Sequence, residues 1–387
     1  MTARLRTLAV LGSTGSIGRQ TLDVAGRHPD ALCVTALAAG RALDAFASEV
    51  ERWRPRFVAL EHAADPAAAR ARLAAASPGA EVRVGPGSAE WIAGASGADV
   101  VVNGVVGAAG LRASLATLAR GARLALANKE TLVVGGALVR RALERGGELV
   151  PVDSEHSAVL QCLSGRPGAE IARLTLTASG GALREHPDWR RATVDEVLSH
   201  PVWAMGRRIT VDSALLFNKG LELIEAHVLF DVPYERLDAV LHPQALVHAL
   251  VTFRDGATVL QAAPPDMRLP IQLALSWPGH WDEAVAPLEP AALAGLAFAP
   301  IPAGRHPALD LALAAGRAGG TAPCALNAAD EVAVEAFLAG AIPLGEVPAC
   351  LERALERHAV RPVESLEQLE AVDAEARAAV RAEFARA

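Results

Sequence analysis

Two carboxylates placed two positions apart are the clearest candidates for chemistry in the sequence. Asp153, Ser154 and Glu155 directly follow the apolar segment Glu148 to Val152, which is predicted to be a strand. Carboxylate oxygens are hard ligands that suit Mg²⁺ or Mn²⁺, and no thiolate is close by. The alternative is a helix N-cap with first-turn acids, and the pair alone leaves these two interpretations equal. We interpret the adjacent His156 as structural.

A third acid would complete such a metal site, because two carboxylates are seldom enough. Glu222 is the candidate, on a helix that we predict to begin near Ser213. Asn218 and Lys219 precede it by four and three positions, so all three side chains are expected to share one helix face.

The polar residues around this predicted helix are suited to an anion. Ser179-Gly180-Gly181 ends a predicted strand, and Asp212-Ser213 is expected to open the helix that carries Asn218 and Lys219. Hydroxyls, an amide, an ammonium group and a helix N-terminus are the groups that hold a phosphate.

The segment 199–208, SHPVWAMGRR, has the composition of a lid. His200, Trp203 and Met205 are interrupted by a proline and a glycine, and an indole on a mobile loop can cover a substrate and exclude water. A buried loop with a hydrogen-bonded histidine is the alternative.

A glycine-rich turn, GSTGSIG at 12–18, follows the apolar run Leu8 to Leu11 and precedes a predicted helix from Ile17 to Gly26. Glycines at such a turn let the backbone approach a pyrophosphate at the helix N-terminus, where Thr14 and Ser16 add hydroxyl donors. The spacing GxxGxxG departs from the dinucleotide pattern GxGxxG, so a plain tight turn is the alternative. The surrounding strands favour a cofactor site.

The end of the second predicted strand indicates which cofactor. NAD-binding folds usually place an acid there, about 20 residues on, for the ribose hydroxyl. This chain has Ala38, Ala39, Gly40 and Arg41 instead. Without a carboxylate to repel a 2′-phosphate, and with a guanidinium to pair with it, NADP is favoured. A merely solvated Arg41 is the alternative.

The elements that must position these residues alternate between strand and helix. Short apolar runs are separated by helical segments such as 42–53 and 65–76, a pattern that predicts a doubly wound parallel sheet, hence an α/β, Rossmann-like domain at 1–150. The runs are Leu8 to Leu11, Cys33 to Leu37, Phe57 to Leu60, Val82 to Val84, Val100 to Val102, Leu124 to Leu126 and Leu149 to Val152.

After residue 150 the pattern changes. The segment 173–179 alternates apolar and polar residues, and Asp255-Gly256 between two apolar runs predicts a hairpin. We therefore predict an α+β catalytic domain at 151–285. Prolines crowd 278–307, so a linker is expected at 286–311, and a helical domain at 312–387.

Composition limits the class of protein. A chain of 387 residues, 51% hydrophobic and 21% charged, is typical of a globular protein with two or three domains. A formal net charge of −7 without a dense basic run argues against nucleic acid as a partner. Four scattered cysteines and no long apolar run predict a cytoplasmic protein, and the Ala-, Leu- and Arg-rich composition fits a GC-rich bacterial genome.

Eight segments in order resemble the 1-deoxy-D-xylulose 5-phosphate reductoisomerase family. They are GSTGSIG at 12–18, ANKE at 127–130, PVDSEH at 151–156, SGG at 179–181, HPVWAMGRRITVDSA at 200–214, NKGLELIEA at 218–226, HPQALVHALV at 242–251 and PDMRLPI at 265–271. The resemblance implies a homodimer that uses NADPH and Mg²⁺, Mn²⁺ or Co²⁺. It also implies the reaction, which rearranges and reduces a phosphorylated sugar to 2-C-methyl-D-erythritol 4-phosphate in the non-mevalonate route to isoprenoids.

The resemblance also assigns roles to individual residues. The metal falls to Asp153, Glu155 and Glu222, with Lys129 beside it and His200 also in the catalytic set. Substrate contacts fall to Ser154, Ser179, His200, Ser213, Asn218 and Lys219, and to Trp203 and Met205 on the lid. Cofactor contacts fall to Thr14, Gly15, Ser16, Ile17, Gly40, Arg41, Asn128, Glu130 and Gly206.

Two rival functions stay open. One is another metal-dependent NADP oxidoreductase, acting on a hydroxy acid, which would need residues for a carboxylate rather than a phosphate. The other is a catalytically silent NADP-binding sensor, which would have no reason to keep the acids and His200 in these motifs.

Overall fold

A computed structural model describes residues 5–166, 170–203, 205–282 and 284–385. These residues form two compact units, each with its own sheet. The first consists of the described parts of Met1–Thr131, Val139–Ser157 and Asp266–Val285. The second consists of the described parts of Leu132–Leu138, Ala158–Pro265 and Ala286–Ala387. The predicted division at 150, 285 and 311 stays a prediction.

The first unit is built on a seven-stranded parallel sheet. Its strands are β1 (Arg6–Leu11), β2 (Leu32–Ala39), β3 (Phe57–Leu60), β4 (Glu81–Val84), β5 (Val100–Asn103), β6 (Arg123–Leu126) and β7 (Glu148–Pro151). The order across the sheet is β4-β3-β2-β1-β5-β6-β7, with every pair parallel. Strands β2 to β4 are thus added on one side of β1 and strands β5 to β7 on the other. The switch point between β1 and β5 is where doubly wound sheets bind ligands. The predicted fold is confirmed.

The second unit contains a mixed sheet. Its strands are β8 (Ile171–Ala178), β9 (Leu237–Leu241), β10 (Val247–Phe253), β11 (Thr258–Ala262) and β12 (Ala299–Pro300). The order is β11-β10-β8-β9-β12, in which only the β8–β9 pair is parallel among the described strands. The predicted hairpin is confirmed, because β10 and β11 pair around Gly256, whose φ is 88°.

Helices cover the sheets and form the C-terminal part of the second unit. They are α1 (Ser16–Arg27), α2 (Leu43–Trp53), α3 (Pro66–Ala76), α4 (Ser88–Ala95), α5 (Leu111–Ala119), α6 (Glu130–Glu144), α7 (Ser154–Leu163), α8 (Val194–Leu198), α9 (Arg207–Ala214), α10 (Phe217–Phe230), α11 (Arg268–Ser276), α12 (Pro307–Ala318), α13 (Ala322–Leu338), α14 (Glu346–Arg357) and α15 (Leu366–Phe384). Within the described ranges, none of them combines the length and apolar character needed to cross a membrane.

Two predicted helix starts were wrong. Ser213 lies near the end of α9 and does not open α10, because Leu216 between the two helices adopts a left-handed φ of 55°. A non-glycine residue in that conformation interrupts the helical hydrogen-bond ladder. The C-terminal helices begin at Pro307 rather than at 312, since proline is well suited to the first turn of a helix.

Helix α10 is held in place by close packing on α12. A Cβ atom added to Gly220 would lie 2.4 Å from the Cβ of Ala312, so only glycine allows this approach. Phe217 and Leu221 on α10 are buried in the same apolar core as Ala308 and Leu326. This packing fixes the helix that carries Asn218, Lys219 and Glu222.

Candidate active site

The glycines of the first βα turn are required by its shape. A Cβ on Gly12, whose φ is 78°, would lie 2.8 Å from the carbonyl oxygen of Gly104. A Cβ on Gly18 would lie 2.3 Å from the carbonyl oxygens of Gly12 and Ser13, and one on Gly15 would lie 3.2 Å from that of Gly12. The GxxGxxG spacing is therefore a compact cradle in which the backbone itself forms the surface.

This cradle ends at the N-terminus of α1. Gly15 is the N-cap residue, so no side chain caps the first turn, and the first turn carries no acid. Gly15 and Ser16 are exposed, with Thr14 and Ile17 partly exposed. Backbone N–H groups at a helix N-terminus, with the positive end of the helix dipole, suit a phosphate.

Glu49 on α2 is hydrogen-bonded to the cradle through Ser13. The buried Ser13 hydroxyl donates a hydrogen bond to the Glu49 carboxylate at 2.7 Å, and burial raises the pKa of that carboxyl. The sequence analysis missed Glu49, because a helix acid 36 positions from the loop carries no local signal.

The residues after β2 face solvent. Gly40 and Arg41 are both exposed, and a Cβ on Gly40 would meet nothing within 4 Å. The site thus has room for a bulky anion beside the guanidinium. Whether Arg41 binds a 2′-phosphate stays a prediction.

Asn128 organises the loops that follow β5 and β6. Its Nδ2 donates to the carbonyl oxygens of Val105 and Gly107 at 2.7 and 2.8 Å, and to Glu130 at 3.0 Å. Its Oδ1 accepts the backbone N–H of Thr131 at 3.0 Å. The side chain predicted to touch the cofactor is therefore engaged with protein at both ends.

Asn103, at the end of β5, is a second side chain that fixes these loops by hydrogen bonds. It is fully buried and donates to the Gly110 carbonyl at 2.9 Å and to the Ser114 hydroxyl at 2.8 Å. The sequence analysis missed it, although the Asn-Gly pair following an apolar run was an available signal.

The first unit places Lys129 against Asp153. The Lys129 Nζ lies 2.6 Å from the Asp153 carboxylate, and both side chains are at least nine-tenths buried. Asp153 immediately precedes α7, and the backbone N–H of Glu155 donates to it at 3.4 Å. The Ser154 hydroxyl donates to Glu155 at 2.5 Å. Asp153 thus resembles a helix cap and also presents a carboxylate, so the two sequence interpretations are compatible.

His156 lies next to the same carboxylate. It is fully buried, with its Nδ1 at 3.4 Å from the Asp153 Oδ1. A buried imidazole at this position is consistent with its predicted structural role.

The second unit places Asn218, Lys219 and Glu222 together on α10. The Glu222 side chain is 2% exposed; it accepts hydrogen bonds from the Asn218 amide and the Lys219 ammonium group. A buried polar side chain needs hydrogen-bond partners of this kind, because it has lost its contacts with water. The predicted shared helix face is confirmed.

His200 and Ser179 form a second polar pair. The His200 Nδ1 accepts the backbone N–H groups of Val202 and Trp203 at 3.2 and 2.9 Å, so the ring proton belongs on Nε2. Nε2 lies 3.1 Å from the Ser179 hydroxyl, which also accepts the Gly181 N–H at 3.2 Å. With both lone pairs in use, that hydroxyl is left as a donor. Burial lowers the pKa of His200, which favours the neutral ring.

Of the predicted lid at 199–208, Arg207 and Arg208 belong to α9, and the other residues that the structure describes are in neither a helix nor a strand. The Trp203 ring is 6.3 Å from the ring of His248, and both Trp203 and Met205 are partly exposed. Gly206 is exposed and precedes α9, which ends beside Ser213. Ala204 lies outside the described residues.

The predicted metal ligands are divided between the two units. Asp153 and Glu155 belong to the first unit with Lys129, whereas Glu222 belongs to the second. That the three acids serve one ion stays a prediction. The strand order, the switch point and the glycine cradle of the first unit define a dinucleotide-binding type of α/β protein.

Comparisons with known proteins identify the family within this class. Family models described as 1-deoxy-D-xylulose 5-phosphate reductoisomerase and as its C-terminal domain match residues 8–136 and 149–230, and one described as the DXP reductoisomerase C-terminal domain matches 262–379. A curated reductoisomerase of this name from Moorella thermoacetica is 48% identical over 96% of both chains. One from Thermomicrobium roseum is 49% identical over 97% of this chain and 96% of its own. The chain belongs to the 1-deoxy-D-xylulose 5-phosphate reductoisomerase family.

Solved structures agree with this assignment. A DOX-P reductoisomerase in complex with NADPH, fosmidomycin and magnesium is 35% identical, with a TM-score of 0.92 over 98% of both chains. The reductoisomerase from Zymomonas mobilis in complex with NADPH is 36% identical, with a TM-score of 0.90 over 98% of this chain and 99% of its own.

Proposed function

We propose that this protein converts 1-deoxy-D-xylulose 5-phosphate into 2-C-methyl-D-erythritol 4-phosphate, using NADPH and a divalent metal. The observation that carries the proposal is the buried Asn218-Lys219-Glu222 set on α10, present in a chain 48% identical to a curated reductoisomerase across nearly its full length. Burying a carboxylate costs desolvation free energy even when it has polar partners, and such groups cluster at functional sites.

The metal site is proposed to consist of Asp153, Glu155 and Glu222. These residues are one of two sets of acids and histidines that could supply ligands to an ion among the described residues. Their donors are all carboxylate oxygens, which fit Mg²⁺ or Mn²⁺. When bound, the ion would polarise the ketone and hydroxyl oxygens of the substrate while the carbon skeleton rearranges. Lys129, paired with Asp153, would hold that carboxylate in position.

NADPH is proposed to lie at the switch point of the first unit. The glycine cradle fits a pyrophosphate, because the positions where side chains would project are closed by backbone atoms. When bound there, NADPH would supply the hydride for the reduction. Its proposed contacts are Thr14, Gly15, Ser16, Ile17, Gly40, Arg41, Asn128, Glu130 and Gly206.

The substrate is proposed to bind through the polar residues of the second unit, together with Ser154. Ser179 would donate its hydroxyl proton to a phosphate oxygen, because its lone pairs already accept from His200 and Gly181. Lys219 would add positive charge, and Trp203 and Met205 would cover the bound sugar and exclude water. The remaining proposed contacts are His200, Ser213 and Asn218.

We also propose a homodimer in the bacterial cytoplasm, with a cofactor domain at 1–150, a catalytic domain at 151–285, a linker, and a helical domain that begins with α12 at Pro307. The curated relatives cited above are bacterial proteins. Light scattering during size-exclusion chromatography tests the dimer directly, since a mass equal to one chain would refute it.

A single assay tests the proposed function. NADPH absorbance is followed with 1-deoxy-D-xylulose 5-phosphate, with and without EDTA, and with Mg²⁺ restored. Loss of absorbance that EDTA abolishes and Mg²⁺ restores is the expected result. Folded protein that leaves NADPH unchanged in every condition would favour the sensor, and oxidation of a hydroxy acid with NADP⁺ would favour the hydroxy-acid oxidoreductase.

A further inference from the structure

Arg305 makes an unusual set of contacts. It lies in the proline-rich segment between β12 and α12, and its Nη2 donates to three backbone carbonyls, those of Leu183, Arg184 and His186. The three distances are 3.0, 3.1 and 2.8 Å. The turn at 183–186 is neither a helix nor a strand, so its carbonyl groups need other hydrogen-bond partners. The Nη2 of Arg305 is a cationic donor to three of them.

This turn is the continuation of the Ser179-Gly180-Gly181 segment. Arg184 donates from its Nη1 to the carbonyl of Ser179 at 3.0 Å, which closes the turn onto its own start. Gly180 has a φ of 86°, and a Cβ there would lie 2.7 Å from the Cδ of Arg184. The backbone position of Ser179 therefore depends on where the turn is held.

The next residue, His306, reaches a different segment. It is 8% exposed and forms a hydrogen bond with the backbone of Leu215. Leu215 ends α9 and directly precedes Leu216, where the chain turns into α10. Arg305 therefore contacts the turn at 183–186, and His306 contacts Leu215, about 30 positions further along the chain. We call these two consecutive residues the brace.

The two loops also touch each other. A Cβ on Gly181 would lie 2.8 Å from the carbonyl oxygen of Ser213 and 2.7 Å from the Cα of Ala214. The turn and the end of α9 are therefore packed backbone against backbone, and a shift of either is transmitted to the other.

We propose that Arg305 and His306 are positioning residues for substrate binding, and that they hold the Ser179 turn and the α9–α10 junction in the register that a phosphorylated sugar requires. This inference rests on the proposed function, since it concerns the same substrate site. Neither residue is proposed to touch the substrate. They act through Ser179, Ser213 and Asn218.

Kinetics test the positioning role. Arg305→Ala is expected to raise the KM for 1-deoxy-D-xylulose 5-phosphate about tenfold, because charge-assisted hydrogen bonds to the turn are lost. The KM for NADPH should stay within about twofold, since every proposed cofactor contact except Gly206 lies on the other unit. Arg305→Lys should recover most of the substrate KM, because an ammonium group also offers three donors. Arg381→Ala, an exposed arginine on α15, is the matched control.

Hydrogen exchange supplies a readout that does not need activity. Amides of 180–186 are expected to exchange at least about tenfold faster in Arg305→Ala than in the wild type, with those of 12–18 unchanged. Should Arg305→Ala fail to fold, Arg305→Gln carries the same comparison. Unchanged exchange at 180–186, or equal rises of both KM values, would overturn the proposal. A wild type without turnover would refute the proposed function, while the exchange data would still decide whether the brace exists.

Discussion

The glycine cradle of the first unit and the α10 cluster of the second are both proposed to bind charged groups, but one is built from backbone and the other from side chains. In the cradle, the surface is backbone and the specific residues are those that lack side chains, Gly12 and Gly18. In the cluster, the surface is charged side chains, Lys219 and Glu222, both at least nine-tenths buried. The first should therefore be damaged by added atoms, and the second by lost charges.

The largest effect is expected from removing charge in the cluster. Glu222→Gln keeps the shape of the side chain but removes a proposed metal ligand and leaves Lys219 without its carboxylate. We expect turnover to fall about a thousandfold, judged from the loss of a charged group at a reacting centre. NADPH absorbance with Mg²⁺ measures it, and Glu352→Gln, an exposed acid on α14, is the control. Near-normal turnover of Glu222→Gln would show that the metal assignment is wrong.

The next largest effect is expected from adding one methyl group to the cradle. Gly18→Ala places a Cβ about where backbone oxygens already lie, 2.3 Å away, so we expect about 2 to 3 kcal/mol of destabilisation and weakened NADPH binding. Thermal unfolding and fluorescence titration with NADPH measure the two effects.

Gly40→Ala is the matched control, because a Cβ there would meet nothing within 4 Å. It should leave the unfolding temperature unchanged. If both variants unfold at the wild-type temperature, the cradle is not sterically closed and the contrast with the cluster fails.

The same contrast explains what the sequence revealed. The cradle is a local motif after a strand, and its glycines at 12, 15 and 18 could be identified from spacing and context. The seven strands of the first sheet were predicted to within a few residues. Most of them are buried apolar runs, as parallel strands usually are, whereas β4 is a partly exposed strand that alternates apolar and charged residues. The positions of these glycines and strands can therefore be predicted from local sequence patterns.

The rest depends on tertiary contacts. The break at Leu216 was not predicted, since nothing in the sequence around it signals a left-handed residue. Glu49 and Arg305 were missed because their partners lie 36 and about 120 positions away. The cluster on α10 could be recognised by its spacing, whereas the loops that support it could not.

A pH titration tests the brace next to the cluster. Burial and the neighbouring Arg305 lower the pKa of His306 to about 4, against 6.5 when unfolded. The unfolded chain therefore binds the proton first as the pH falls, so stability is lost between pH 6.5 and about 4. At pH 5 we expect a loss of about 2 kcal/mol from this residue.

Thermal unfolding of the wild type and of His306→Gln at pH 7 and pH 5 measures this loss. The variant should lose less stability on acidification than the wild type. Equal losses would mean that His306 is not held neutral in the folded protein.

The smallest effect is expected at the exposed rim of the cradle. Arg41→Ala should weaken NADPH binding about tenfold and leave NADH binding unchanged, because only the 2′-phosphate would lose a partner. Arg70→Ala, on the exposed surface of α3, is the control. Equal weakening for both nucleotides would assign Arg41 to the fold rather than to cofactor choice.

The central proposal is that Asp153, Glu155 and Glu222 bind one divalent ion. Mn²⁺ binding, followed by electron paramagnetic resonance, tests it with Glu155→Gln from the first unit and Glu222→Gln from the second. We expect one ion per wild-type chain, and at least about tenfold weaker binding in each variant. Wild-type Mn²⁺ affinity in either variant would contradict the claim.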